Sequence, residues 1–95
     1  MKKSNEMNTV KISTLDEIQV APETLYDYNG LQLNVQKSKR DINGNPRYAL
    51  KVFKDGQNIT EKYRGALGRY TKKGHIIFQS YQLSNAINFI LSKNN

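Results

Sequence analysis

The spacing of hydrophobic residues changes along this chain, and that change limits the folds it can adopt. Apolar residues occupy every second position in residues 31–35 and again in residues 48–52. A period of two is typical of strands with one buried and one wet face. In residues 83–91 the spacing becomes i, i+3, i+4, i+7, i+8, which predicts an amphipathic helix. The pattern therefore predicts a sheet followed by a helix.

Turn signals divide the sheet region into short strands. Asn43-Gly44, Asp55-Gly56 and Lys73-Gly74 are dipeptides that favour tight turns, and they separate the two clear strands from a weaker one at residues 58–63 and an apolar run at residues 75–78. The helix needs an apolar surface, and the sheet offers the nearest one. We expect an α+β fold: a small antiparallel sheet of three to four strands with the C-terminal helix packed on one face.

The N-terminal segment is expected to be short helical or irregular. Thr14 and Glu17 have capping-box spacing, which favours a helical turn there, although a β segment at residues 10–12 followed by a turn fits equally well. Pro22 suits the first turn of a second short helix over residues 23–28, which Asn29-Gly30 would end. We expect a flexible tail over residues 1–10 and a single α+β domain over residues 11–95.

Composition excludes several classes of site. The chain has no cysteine and one histidine, so disulfides, thiolate zinc sites and cysteine nucleophiles are excluded, and we expect no cofactor and no metal. Its apolar runs are too short to span a bilayer, and polar residues follow Met1 where a signal peptide would be apolar. We expect a cytoplasmic protein without a membrane partner.

Charge is distributed unevenly along the chain. Residues 1–30 carry three basic and five acidic side chains, whereas residues 31–95 carry twelve basic and three acidic ones. A basic field on a small domain concentrates polyanions near its surface. Nucleic acid is therefore the first partner to consider, with DNA favoured over RNA. The acidic N-terminal segment could instead lie over the basic sheet and compete with a polyanion, or simply be solvated.

The candidate site combines basic turns with the sheet face that points away from the helix. If Leu33, Val35, Leu50, Val52, Ile76 and Phe78 face the helix, the opposite face carries Gln32, Asn34, Gln36, Lys51, Phe53, Ile77 and Gln79. Amides and cations read base edges and hold phosphates, and tyrosines can stack on bases. The predicted nucleic-acid-binding residues are Lys37, Lys39, Arg40, Arg47, Lys51, Lys54, Lys62, Arg64, Arg69, Lys72, Lys73, Tyr63 and Tyr70.

Other functions fit the same composition. The cations could be ordinary solvated charge, or they could meet an acidic protein surface, as in a phage or mobile-element accessory or inhibitor protein that binds a host protein. His75 with Arg69, Lys72 and Lys73 could imitate a small basic ribonuclease, but a structural histidine at a strand edge is the simpler interpretation. We expect that the protein is not an enzyme. No feature of the sequence requires an oligomer.

Overall fold

A computed structural model describes residues 8–94 and shows seven strands and one α-helix. The predicted flexible tail over residues 1–10 lies outside the described residues except for positions 8–10, which belong to the first strand. The elements are β1 Asn8–Lys11, β2 Thr24–Tyr28, β3 Leu31–Ser38, β4 Arg47–Lys54, β5 Gln57–Asn58, β6 Arg69–Tyr70, β7 Ile76–Gln79 and α1 Leu83–Lys93.

All seven strands form one mixed sheet in the order β1-β2-β3-β4-β7-β6, with β5 paired to the end of β4. The strand β1 pairs with β2 in parallel, and the other pairs are antiparallel. The prediction of an antiparallel sheet of three to four strands was therefore wrong. On the N-terminal side of the sheet, it missed β2, and it gave the region of β1 only as the alternative β segment at residues 10–12.

The segment predicted as a second helix is the strand β2. Asn29 and Gly30 have φ angles of 50° and 87°, and Tyr28 pairs directly with Leu31 across them. Two successive positive φ angles define the type I′ turn, which Asn-Gly favours because its twist matches that of a hairpin. The chain thus turns back as a strand at Asn29 instead of ending a helix there.

The region after β4 is less regular than predicted. The strand expected over residues 58–63 ends at Asn58, and a 3-10 helix, Thr60–Tyr63, follows. Thr60 is fully buried and its hydroxyl accepts a hydrogen bond from the backbone N–H of Val52 at 2.8 Å. The strand β7 pairs with β4 only from Arg47 to Leu50. The Thr60 hydroxyl therefore supplies a hydrogen-bond partner for Val52, which lies beyond that pairing.

The core lies between the sheet and α1. The six residues predicted to face the helix are all buried, and they join Ala86, Ile87 and Ile90 of α1 in one apolar cluster. The 3-10 turn Leu15–Glu17 begins with the predicted Thr14–Glu17 capping box, and Leu15, Ile18 and Val20 pack against the same cluster. None of the helices within residues 8–94 is long and apolar enough to cross a membrane.

Candidate anion-binding surface

The connection between β3 and β4, residues 39–46, is held in shape by Asp41. Its carboxylate accepts hydrogen bonds from the backbone N–H groups of Asn43 at 2.9 Å and Asn45 at 2.8 Å, and from the Gln79 amide at 2.9 Å. These bonds, led by that from Asn45, hold the pKa of Asp41 below its ordinary value. The loop is therefore ordered around an ionised carboxylate.

Two arginines are oriented by the backbone of the same loop. Arg47 donates from Nε to the carbonyl oxygen of Lys39 at 2.7 Å, and Arg40 donates from Nη1 to that of Gly44 at 2.8 Å. Each guanidinium has five N–H donors, so these bonds leave further donors for another partner. The loop thereby fixes the position of two cations without neutralising them.

The β3–β4 hairpin carries four of the predicted cations, Lys37, Lys39, Arg40 and Arg47, which we call the hairpin cations. Lys37 shares the inward parity of Leu33 and Val35, yet it is exposed, and it pairs with Tyr48 near the end of the hairpin. At the tip of the hairpin, the side chain of Ile42 is 99% exposed. A fully exposed isoleucine thus lies among the hairpin cations.

The sheet face opposite α1, which we call the open face, carries the predicted polar residues but not all of them are accessible. Asn34 is fully buried, and its amide donates to the carbonyl oxygens of Pro22 and Thr24 at 3.0 Å each. Asn34 therefore cannot read bases, because its amide holds the turn that leads into β2. Lys51 and Gln36 remain partly exposed on this face.

A second group of cations surrounds His75. Lys72 and Lys73 are exposed in the turn between β6 and β7, and Lys51 lies close by on β4; we call these three the turn cations. His75 is 8% exposed, and its Nε2 atom is buried without a hydrogen-bond partner in the described part of the chain. Burial, and then the charges of Lys51 and Lys73, lower the pKa of His75. The imidazole is consequently neutral at pH 7.

The remaining predicted residues do not join one surface. Arg69 pairs with Ile77 at the β6 edge of the open face, and Lys54 ends β4. Lys62 lies on the helix side, where it lines a hollow with Phe89 and Lys93. Arg64, also exposed, is 3.7 Å from the carboxylate of Glu61.

Of the two tyrosines among the predicted nucleic-acid-binding residues, Tyr63 is buried and Tyr70 is partly buried. Tyr63 is 5% exposed, its ring meets Phe89 edge to face, and its hydroxyl accepts a hydrogen bond from Asn94 at 2.6 Å. Tyr70 is partly buried and packs against the core. Both rings serve packing, as tyrosine rings in a small domain commonly do.

Within residues 8–94, most of the positive charge has no acidic partner. Over residues 8–94, the contact between Arg64 and Glu61 is the one ion pair within 4.0 Å. Glu17 accepts hydrogen bonds from the backbone N–H groups of Ser13 and Thr14. Its carboxylate, like that of Asp41, therefore binds backbone N–H groups. The acidic segment thus forms no ion pair with the basic half in the described residues.

These features define a small α+β protein with one mixed sheet and a projecting basic hairpin. A family model described as Staphylococcus phage terminal repeat-encoded protein TreK matches residues 27–95. The match covers well over half of the chain, which therefore belongs to this phage family. No curated protein and no solved structure matches the chain.

Proposed function

We propose that this phage protein binds nucleic acid without catalysing a reaction, that duplex DNA is its preferred form, and that the hairpin cations make the main contact. The observation that carries the proposal is the lack of internal ion pairs among these cations within residues 8–94. Unpaired cations held on one projecting element supply the counterion-release term that dominates binding to a phosphate backbone.

The shape of the hairpin supports a duplex partner. Two-stranded ribbons enter DNA grooves, and proteins that bend DNA insert apolar side chains between base pairs. Ile42, exposed at the tip between flanking cations, is placed for such a contact. The turn cations and Arg69 supply a second contact region along the sheet.

A binding measurement with matched variants tests this proposal. The variant Lys37→Ala/Lys39→Ala/Arg40→Ala removes three hairpin cations but keeps Arg47, whose bond to Lys39 O supports the loop. The control Lys62→Ala/Arg64→Ala/Lys93→Ala removes three cations outside the hairpin, of which Lys62 and Lys93 lie beside the helix. In gel shifts with duplex DNA, single-stranded DNA and RNA, we expect the hairpin variant to lose at least about tenfold in duplex affinity and the control to lose much less. Equal losses would contradict a specific role for the hairpin.

An acidic surface on a host protein is the second candidate partner. Membership of a phage family favours it, and an exposed isoleucine beside arginines also suits the centre of a protein interface. A pull-down from nuclease-treated host lysate separates the two candidates. A partner that is retained by the native protein and lost with the hairpin variant, together with no gel shift, would favour the host protein over DNA.

A further inference from the structure

A cleft lies where the hairpin meets the start of the helical segment. Three hairpin cations, Lys37, Arg40 and Arg47, line it together, and its volume is about 230 Å³. A water molecule occupies about 30 Å³ of liquid, so the cleft has room for a phosphate group with some of its hydration.

The other side chains of the cleft are suited to an oxyanion. Three residues with hydroxyl-bearing side chains, Ser38, Tyr48 and Ser80, also line it, and no acidic residue does. Hydroxyls and guanidinium groups are the common side-chain donors to phosphate oxygens, and arginine can offer two parallel N–H groups. Every charge that lines the cleft is therefore positive, and its neutral side chains add donors.

The two arginines and the start of the helical segment are held in place before any ligand binds. The loop carbonyls of Lys39 and Gly44 orient the two arginines, and the backbone N–H of Ser80 donates to Pro46 O at 3.1 Å, which ties the helical start to the hairpin. The 3-10 helix Ser80–Gln82 leads directly into α1, so the positive end of the helix dipole lies at this end of the molecule. Converging cations repel one another, and a bound anion would relieve that repulsion.

We propose that this cleft is a binding site for a single phosphate group. The proposal rests on the proposed function in one respect: the phosphate is either one of the nucleic-acid backbone or a free phosphate-bearing ligand. Both sources present the same phosphate oxygens to the cleft. In either case, Lys37 should contact the phosphate because it lines the cleft, and Lys39 should not because it does not line it.

The test uses inorganic phosphate as the probe and NMR of the full chain as the readout. Phosphate is titrated at constant ionic strength, with chloride as the replaced ion. We expect saturable shifts at Tyr48 and Ser80 in the native protein and in Lys39→Ala, and an apparent Kd raised roughly tenfold in Lys37→Ala, as for loss of one charged hydrogen bond. Both lysines are exposed, so the two variants remove equal charge without touching the core.

The outcomes separate the cleft from the wider function. Shifts that do not saturate, or equal losses in Lys37→Ala and Lys39→Ala, would overturn the site even if duplex DNA binds. Saturable phosphate binding that depends on Lys37, in a protein that shifts no nucleic acid, would support the site with a free phosphate-bearing ligand and reject the proposed function. If Lys37→Ala weakens both phosphate binding in the NMR titration and duplex DNA binding in the gel shift, the site is supported and the nucleic-acid backbone is its source of phosphate.

Discussion

His75 connects the charge of the turn cations to the stability of the fold. Burial and the nearby lysines lower its folded pKa, whereas in the unfolded chain it returns to about 6.5. The unfolded chain therefore binds a proton more readily, and acid favours unfolding. This penalty is absent well above pH 6.5 and grows as the pH falls from there towards the lowered pKa of the folded state.

We predict that the free energy of unfolding decreases between pH 7 and pH 5.5, and that His75→Gln removes part of this decrease. Denaturant unfolding at a series of pH values measures it. Asp41 and Glu17 titrate at lower pH, because hydrogen bonds from backbone N–H groups lower their pKa values, so they do not obscure this window. An identical pH dependence in the variant would show that His75 is not the group responsible.

Ile42 offers a test in which binding and stability separate. Its side chain is 99% exposed, so Ile42→Ser should change the free energy of unfolding by less than about 0.5 kcal/mol. We predict that the same change weakens duplex binding, since the contact at the hairpin tip is lost. Val10→Ser, at the far edge of the sheet, is the control and should leave affinity unchanged. Unchanged duplex affinity of Ile42→Ser would show that the hairpin tip does not contact the DNA.

At the scale of elements, the order of the hairpin matters as much as its charge. Asp41→Ala removes an acid and makes the protein more positive, but it also deprives the N–H groups of Asn43 and Asn45 of their acceptor. We predict faster amide exchange in the loop and weaker duplex binding, because a disordered hairpin must be ordered on binding. Glu23→Ala raises the net charge equally and should not weaken binding. Tighter binding by Asp41→Ala would mean that net charge alone determines affinity.

The edge strand β6 depends on a glycine. A Cβ atom at Gly68 would lie 2.1 Å from the backbone oxygen of Ile77, so any side chain forces β6 away from β7. We predict that Gly68→Ala destabilises the fold by about 1–3 kcal/mol, as overpacking does, and displaces Arg69. Thermal unfolding and NMR shifts of Tyr70 would detect this. A variant of native stability with unchanged Tyr70 shifts would refute the close approach.

Some elements could be predicted from the sequence because their signal is local. The helix α1 and the strands β3 and β4 have long runs of one period, and the parity of Leu33 or Leu50 predicts the core face correctly. The strand β2 was mistaken for a helix because Pro22 fits a helix start and residues 23–28 have no clear period. The Asn29-Gly30 dipeptide was the available signal for a hairpin, and it was interpreted as a helix end.

Other elements have no local signal. The strand β1 is set by a parallel pairing with β2 across a crossover, and β5 and β6 are two residues long, too short to show a period. Burial of Asn34 depends on the turn before β2, and burial of Tyr63 depends on Phe89 and Asn94 far along the chain. For the site, the sequence identified the cations but could not divide them between the hairpin, the open face and the helix side.

At the scale of the whole molecule, the excess positive charge is divided among separate groups. The hairpin cations lie at one end of β4, and Lys51 lies towards its other end, near Lys73 of the β6–β7 turn. Lys62 and Lys93 lie beside the helix instead. A single partner that contacts both of the first two groups must therefore be extended, because a compact anion can occupy only one of them.

The salt dependence of duplex binding tests the central claim most directly. If about four to six phosphates are neutralised, log K falls against log salt with a slope of roughly −4 to −5. We predict that Lys37→Ala/Lys39→Ala/Arg40→Ala makes this slope shallower by about 1 to 2, because Lys37 and Arg40 share the phosphate of the cleft and Lys39 contacts another. We predict that Lys62→Ala/Arg64→Ala/Lys93→Ala leaves the slope nearly unchanged. A flat response in the native protein, or equal slopes in both variants, would contradict binding through the hairpin.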